Sequence, residues 1–166
     1  MRASISRFLL PLCLMVTSVQ SWAEMKQAWV IESSDFKETI VSSNPTEKDQ
    51  LIKDGWIIDG TGMMRTEWEA GAGPLHRLSQ STAKGVDRLL ETDVRQLPAL
   101  QKSGYVDEGL VGFVADSDAP GRIPVIQFSK ANRKLWVVGE EAQAKLKQEG
   151  WIRQGIHFWL WPLSGK

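Results

Sequence analysis

A six-residue phrase that contains a glycine, an aromatic residue and a second glycine occurs three times in this chain. It reads GWIIDG at 55–60, GYVDEG at 104–109 and GWIRQG at 150–155. A near-constant spacing of this length is typical of chains that build one supersecondary unit several times. Because such units bury their apolar faces against each other, this repeat constrains the possible folds more than any other feature.

The residues before each phrase predict a short helix. A leucine stands four residues before the first glycine, and a residue that favours helix N-caps stands eleven residues before it. These positions hold Leu51, Leu100 and Leu146, and Asn44, Asp93 and Gly139. Glu47 and Gln96 follow their caps by three residues, which predicts capping boxes. The first glycine of each phrase is expected to end the helix in the left-handed conformation.

Apolar segments on both sides of each helix predict strands, so each unit is interpreted as strand, strand, helix, strand. We therefore expect an α+β fold of three ββαβ-type repeats, mostly antiparallel, in a pseudo-threefold arrangement. The repeats span about 28–73, 74–123 and 124–166, with joins at EAGAGP (69–74) and DAPGRIP (118–124). A trefoil-like and a propeller-like closure both remain open.

The phrase itself is interpreted as a structural motif. Its aromatic residue is expected to fill the core just after the helix, and its acid or amide to accept a backbone N–H. Its second glycine allows close packing or a positive φ. The alternative is three equivalent pockets that stack a ligand on the aromatic ring. The motif residues are Gly55, Trp56, Asp59 and Gly60, then Gly104, Tyr105, Glu108 and Gly109, then Gly150, Trp151, Gln154 and Gly155.

The first 23 residues have the pattern of a cleavable signal peptide. Arg2 and Arg7 precede a short apolar run, and Ser21-Trp22-Ala23 offers small residues before a cut at Glu24. The run is too short for a membrane anchor, so we expect a periplasmic or secreted domain over 24–166 and no integral membrane segment. The single cysteine, Cys13, would leave with the signal, so no disulfide is expected.

Charge limits the class of partner. The full chain has a formal net charge of +0, and loss of the two leader arginines would make the mature chain slightly acidic. An acidic surface does not favour nucleic acid or an anionic membrane as a partner. No cofactor is expected.

Tryptophan is abundant, and three residues are candidate ligand platforms. Trp159 and Trp161 share one face of the last predicted strand, while Phe158 and Leu160 take the other. Trp68 lies between two glutamates near a predicted join and is the ring expected to be exposed. Flat rings suit both sugars and protein partners. Whether the face with Trp159 and Trp161 is open or covered remains undecided at this point.

Catalytic and metal-binding patterns are not found. The two histidines, His76 and His157, are expected to be solvent-facing strand residues. The acids Asp107-Glu108 and Asp116-x-Asp118 could pair, but neighbouring strand residues point to opposite faces and turn acids are ordinarily solvated. Because neither a serine nucleophile elbow nor metal-ligand spacing is present, we expect a protein that is not an enzyme and holds no metal.

The stretches PLHRLSQSTAKG (74–85), DRLLETD and GYVDEGLVGFVA resemble one unit of a bacterial secreted tandem-repeat domain of unknown function. That family has Pro-Leu-Tyr-Arg-Leu, His-Phe-Tyr-Thr and Gly-aromatic-x-x-Glu-Gly motifs. The segment 121–162 is similar to the same pattern, and 28–68 matches it weakly. The family's histidine is replaced here by Thr39, Arg88 and Lys134, so no family site is carried over.

The resemblance implies an accessory or binding role, because the family is often attached to hydrolases of the envelope or matrix. We therefore expect a non-catalytic binding module at the cell envelope, with a glycan as ligand. The alternative is a protein-interaction role with an envelope or secreted protein, such as an inhibitor, immunity or assembly factor. A hydrolase that uses unpaired acids is a third, less favoured possibility.

Overall fold

The computed structural model describes residues 24–83 and 85–163, in which the chain forms nine strands and three α-helices. In chain order the elements are β1 (Met25–Glu32), β2 (Thr39–Ser42), α1 (Pro45–Lys53), β3 (Ile57–Arg65), β4 (Ala72–Thr82), β5 (Gly85–Glu91), a 3₁₀ turn (Val94–Gln96), α2 (Leu97–Lys102), β6 (Val106–Ala115), β7 (Ile123–Lys130), β8 (Arg133–Val137), α3 (Glu140–Gln148) and β9 (Ile152–Leu160). The strand pairs of these residues are antiparallel, so the α+β class is confirmed. The predicted signal peptide, with Cys13, lies outside the described residues.

The first strand of each hairpin pairs on both of its edges. β1 lies between β2 and β3, β4 lies between β5 and β6, and β7 lies between β8 and β9. The last strands β3, β6 and β9 then meet each other and join the three hairpins. Their contacts are Arg65 with Phe113, Ala115 with Trp159, and a two-way backbone hydrogen-bonded bridge between Met63 and Trp161.

The hairpins contribute to the core at matching positions. In each hairpin, one residue of the first strand pairs with the second glycine of the phrase. The residue two positions before it and the residue one position after it are fully buried in all three hairpins. These residues are Ala28, Leu75 and Val125, and Ile31, Leu78 and Phe128. A smaller cluster lies beneath α3 and includes Leu146 and Trp151.

Each helix ends in the same hydrogen-bonded motif, as predicted. The first glycine of the phrase has a φ of +86° at Gly55, +99° at Gly104 and +81° at Gly150. The N–H of the following aromatic residue returns to the carbonyl of the leucine five residues earlier, at 2.9–3.1 Å in all three cases. Together with the bond from each glycine N–H, this is a Schellman motif, which satisfies the last helical carbonyls.

The second glycine of the phrase lies at a β-bulge. Asp59, Glu108 and Gln154 are the extra residues that the neighbouring strand does not pair. Gly109 and Gly155 have positive φ values of +108° and +129°. Gly60 instead faces a close approach, because a Cβ there would lie 2.6 Å from the Cβ of Val138. A positive φ therefore explains the glycine at the second and third copies, and close packing explains it at the first.

Asn44 and Gly139 precede α1 and α3 as predicted, whereas Asp93 caps the 3₁₀ turn and α2 begins only at Leu97. Neither predicted capping box forms; at the second copy the Asp93 N–H donates to Glu91 and not to Gln96.

The Asn44 side chain accepts the N–H groups of Thr46 and Glu47. Glu47 turns away from the cap and accepts hydrogen bonds from Ser42 and Arg77. The capping-box prediction at Glu47 is wrong because a guanidinium from β4 offers that carboxylate a stronger, charge-assisted partner.

The prediction that residues 59, 108 and 154 accept a backbone N–H holds only at the first copy. Asp59 accepts the N–H groups of Val138 and Gly139 at the start of α3. Glu108 accepts instead from the Arg77 side chain, and Gln154 donates to the Ser129 hydroxyl. The local partners differ because the facing residues differ among the three copies.

The aromatic residues of the phrase are not equally buried. Trp151 is buried, with 8% of its surface exposed, and packs in the cluster beneath α3. Tyr105 is half-buried against the main cluster and donates its hydroxyl to Asp87. Trp56 is half-buried and belongs to neither cluster. Of the three aromatic residues, Trp151 is therefore the one that fills the core.

The joins differ slightly from the prediction. β4 begins at Ala72, so the last residues of the stretch 69–74 belong to a strand. β7 begins at Ile123, with Pro124 already in it. Proline is compatible with a strand near its start, which explains why a turn-like composition is misleading there.

Candidate functional site

The strands run between two ends of the molecule, which carry different groups. We call residues 66–71, 116–122 and 161–163 the linker end, and residues 33–38, 82–83, 85 and 130–133 the hairpin end. At the linker end, the Asp116 N–H donates to the Gly71 carbonyl at 3.3 Å, and the Thr66 N–H donates to the Glu24 carbonyl at 2.9 Å. The connection 66–71 is therefore hydrogen-bonded to the start of the connection 116–122 and to the residue that precedes β1.

Two of the three predicted ligand residues, Trp68 and Trp161, lie at the linker end, and Trp159 lies next to it among the last residues of β9. Trp68 is exposed over 68% of its surface. Trp159 and Trp161 are half-buried, whereas Phe158 and Leu160, which alternate with them, are buried in the core. The alternation predicted for this strand is present, and its tryptophan face is partly open.

Two guanidinium groups lie against the Trp161 ring. The Cζ atom of Arg65 is 5.2 Å from the ring centroid, and that of Arg122 is 5.5 Å away. Arg65 also forms an ion pair with Glu69, which adjoins Trp68. Arg65 thus connects the turn that carries Trp68 to the Trp161 ring. Because arginines already stack on Trp161, Trp68 is the ring that offers an open face.

The hairpin end has the largest described cleft, which sequence reasoning missed. Residues 37–38, 82–83, 85–87 and 131–133 line a volume of about 500 Å³. A second cleft of about 340 Å³ shares Lys37, Ala131 and Arg133 with it and also reaches Trp151. All three hairpin turns meet here, which no single stretch of sequence reveals.

Charges at the hairpin end are only partly paired. Asp35 forms an ion pair with Lys37 at 2.8 Å, and Glu38 pairs with Arg88. The hydrogen bond from Lys37 holds the pKa of Asp35 down to about 2. Arg133 donates to the Lys37 carbonyl and lies over the Trp151 ring, with its Cζ 6.0 Å from the centroid. Its contacts in the described part of the chain include no carboxylate.

Two turns at the hairpin end adopt a backbone conformation that L-residues rarely take. Phe36 has a φ of +54° and Ala131 a φ of +53°. Non-glycine residues in this region cost energy and often mark sites where local geometry matters. Because phenylalanine and alanine are not typical of left-handed turns, these two positive φ values could not be predicted from the sequence.

A third cleft, of about 200 Å³, lies between α1 and β6 and contains a partly exposed ion cluster. Arg77 bonds Glu47 through its terminal nitrogens and Glu108 through Nε. Burial alone would raise the pKa of Glu47, but the hydrogen bonds from Arg77 and Ser42 bring it below the usual value. The cluster links two hairpin segments, and its charges are directed at each other.

Both histidines lie in strands, as predicted, but they are half-buried and not solvent-facing. His76 is half-buried and its Nδ1 lies 3.1 Å from an Asp107 oxygen. His157 accepts the indole N–H of Trp136 at 2.6 Å, and burial lowers its pKa. His76 has its partner on the adjacent strand β6, and His157 has its partner on β8, which β7 separates from β9; the sequence spacing indicates neither contact. In the described residues, no group of three or more histidine, cysteine or acidic side chains could hold a metal ion.

Comparison with known proteins gives one match. A family model described as a domain of unknown function (DUF5648) matches residues 22–161. No curated protein and no solved structure matches the chain. Among the described residues, no helix has the length and apolar character that a membrane span requires.

Proposed function

This chain belongs to the DUF5648 family of domains of unknown function, and we propose that it is a non-catalytic module that binds a glycan of the cell envelope. The observation that carries the proposal is Trp68, which is exposed over 68% of its surface and adjoins Glu69, the ion-pair partner of the Arg65 that stacks on Trp161. Large exposed rings are costly to keep in water and suit ligands with flat apolar faces, such as sugars.

The turn that carries Trp68 is held in place. The Ala72 N–H donates to the Glu69 carbonyl at 3.0 Å, and Glu69 binds Arg65, which stacks on Trp161. A ring presented on an ordered turn loses little entropy when it binds a ligand. This supports Trp68 as a stacking platform, with Trp161 and Trp159 completing the surface beside it.

The proposed scaffold is a pseudo-threefold repeat of three ββαβ units. Its support is the shared pairing pattern of the hairpins, the three Schellman motifs and the three bulges at the second glycine. Such a scaffold places the two connections between units and the segment after β9 at the same end of the strands. It is consistent with a binding role in which connecting segments carry the ligand residues.

The proposed location is the periplasm or the cell exterior, after removal of residues 1–23. The support is the sequence pattern of a basic start, an apolar run and small residues before Glu24. Amino-terminal sequencing of the protein recovered from an exporting bacterial host tests this. A first residue of Glu24 supports the proposal, and an intact Met1 contradicts it.

Glycan binding is tested by titrating the protein with envelope polysaccharides while intrinsic tryptophan fluorescence is recorded. We expect a polysaccharide that shifts the emission of the native protein and loses about tenfold or more in affinity with Trp68→Ala. Trp68→Phe keeps a ring and should retain most of the binding. Trp56→Phe alters a half-buried ring away from the linker end and serves as the matched control.

A response that Trp68→Ala leaves unchanged would contradict the assignment of this surface. No response to any polysaccharide, together with one protein partner recovered reproducibly in a pull-down, would favour the alternative function. Hydrolysis that is lost on changing Asp107 or Asp116 would contradict both.

The alternative is a protein-interaction role, and a separate observation favours it. The second residue after each helix-ending glycine is apolar and exposed: Ile57 over 49% of its surface, Val106 over 64% and Ile152 over 65%. Isolated exposed aliphatic residues are ordinary, but three at matching positions beside open strand starts could contact a protein. Val106→Asp and Ile152→Asp would then abolish the complex and leave polysaccharide binding intact.

A further inference from the structure

We propose that the cleft at the hairpin end binds the carboxylate of an acidic saccharide, with Arg133 as the residue that contacts the anion. This site lies at the opposite end of the strands from Trp68, and it does not depend on the function proposed for that residue. Its evidence is the shape of the cleft, the charges around it and the mixed character of its lining.

The shape suits a small ligand. The cleft of about 500 Å³ falls within the range of pockets that bind small molecules, and all three hairpin turns contribute to its walls. Two of those turns contain a residue in the left-handed conformation, Phe36 and Ala131. The adjoining cleft of about 340 Å³ leaves room for a second sugar unit.

One cationic group in the cleft wall has no acidic partner among the described residues. Asp35 and Glu38 are engaged with Lys37 and Arg88, and Asp87, which also lines the cleft, accepts the Tyr105 hydroxyl. Arg133 donates one hydrogen bond to the Lys37 carbonyl and contacts no carboxylate in the described part of the chain. Its remaining N–H groups can bind a carboxylate in the two-pronged manner that guanidinium favours.

The orientation of Arg133 is preset. The Lys37 carbonyl holds one of its nitrogens, and the Trp151 ring lies beneath it with the Cζ atom 6.0 Å from the centroid. A side chain fixed before binding loses less entropy when the ligand arrives. Arg133 is therefore poised in a way that a freely rotating surface arginine is not.

The lining favours a sugar acid over a bare inorganic anion. Ala83, Val86 and Ala131 give the cleft an apolar part, on which the C–H face of a sugar ring can rest. The Asn132 amide adds polar groups for hydroxyls. Inorganic phosphate would use the charge of Arg133 and leave this apolar part in water.

The test is isothermal titration of the full mature chain with trigalacturonate and with neutral galactotriose, at low and at moderate salt. We expect trigalacturonate to bind and galactotriose to bind far more weakly. Arg133→Gln should weaken the acid by about tenfold or more, and Arg133→Lys should recover only part of it. Arg95→Gln removes an equal charge from a side chain that is 84% exposed elsewhere, and should change nothing.

Arg133 also packs on Trp151, so a second variant keeps that contact. Asn132→Asp places a negative charge in the cleft wall, leaves Arg133 in place and should weaken the acid by a similar factor. Thermal melts of every variant check that the fold is retained.

Equal weakening by Arg95→Gln and Arg133→Gln would overturn the proposal, as would inorganic phosphate binding as tightly as trigalacturonate. Binding that survives Asn132→Asp in a folded protein would also overturn it. Trp68→Ala should leave trigalacturonate binding unchanged, which separates this site from the surface at the linker end.

Discussion

The Asp59 carboxylate accepts the backbone N–H of Gly139 at 3.0 and 3.1 Å, and so caps a helix that has no capping side chain of its own. A Cβ added to Gly139 would lie 2.5 Å from an Asp59 oxygen. The two residues are therefore complementary, because the space of the missing side chain holds the carboxylate that replaces it. Asp59 also accepts the N–H of Val138, which fastens β3 to the start of α3.

This complementarity predicts that Gly139→Asn changes the free energy of unfolding in opposite directions in the native protein and in the Asp59→Ala variant. Asp59→Ala should lower the free energy of unfolding by about 1–2 kcal/mol, as the loss of an N-cap typically does. Gly139→Asn should destabilise the native protein through the clash with Asp59. In the Asp59→Ala background it should instead stabilise, because the new side chain caps α3 in the freed space. Urea unfolding of the four proteins measures this cycle.

The matched control is Asn44→Ala, which removes a cap from α1 that comes from the residue itself. It should cost a similar amount whether or not Asp59 is present. Additive effects of Asp59→Ala and Gly139→Asn would show that the two residues are not coupled.

The buried Glu32 predicts that stability falls as pH rises through neutrality. Glu32 is 5% exposed, and its Oε2 has no hydrogen-bond partner in the described residues. Burial, with Asp59 and Glu141 nearby, raises its pKa to about 7 against the opposing charge of Lys145. The folded state thus keeps a proton that the unfolded state has released above its ordinary value of 4.5.

The resulting stabilisation is fully present below pH 4.5 and is lost as pH approaches and passes 7, in total about 3 kcal/mol from this group. Glu32→Gln should remove this dependence and make the protein more stable than the native form at pH 8. Chemical unfolding at pH 5, 6, 7 and 8 measures it, with Glu24→Gln as an exposed control. A native protein equally stable at pH 5 and 8, with no effect of Glu32→Gln, would contradict the prediction.

Replacement of Trp151 or Trp56 by alanine should lower the free energy of unfolding by different amounts. Trp151→Ala empties a buried site beneath α3 and should cost about 3–5 kcal/mol. Trp56→Ala removes a half-buried ring outside both clusters and should cost less than half as much. Thermal or urea unfolding compares them. A melt that Trp151→Ala leaves unchanged would reject its role as a core plug.

The helix-ending glycines predict a cost that comes from backbone conformation alone. At Gly55 and Gly150 an added Cβ would meet nothing within 4 Å, yet φ is +86° and +81°. Alanine at either position should therefore cost about 1 kcal/mol or slightly more. Gly73 has equally open space without a positive φ, so Gly73→Ala should change stability by less than about 0.5 kcal/mol. Equal effects at all three sites in urea unfolding would reject the explanation.

Helix positions were readable from the sequence because their determinants are local. Asn44 and Asp93 cap through their own side chains, and each glycine after a helix turns left-handed whatever surrounds it. The alternation in the last strand was equally local, with Phe158 buried and Trp159 partly open. The exposure of Trp68 followed from its place between two glutamates near a join.

The partners of polar side chains were not readable. Glu47 fits a capping box by spacing, but its carboxylate meets Arg77 from a distant strand. His157 has a solvent-facing position by pattern, but the indole of Trp136 donates to it from β8. A long-range contact depends on which strands become neighbours, and spacing along one strand carries no record of that.

The amino-acid sequence by itself determined where helices start and stop, where strands lie and which ring stands in water, because those outcomes depend on φ preferences and on residues within one turn of the chain. Only the tertiary structure decided that Asp59 would cap α3, that Glu32 would be buried beside it, and that three hairpin turns would enclose a cleft with Arg133 at its wall. Those features arise because segments far apart in the chain pack together. Where they meet, the polar groups that lose contact with water must find their charge and hydrogen-bond partners on another segment.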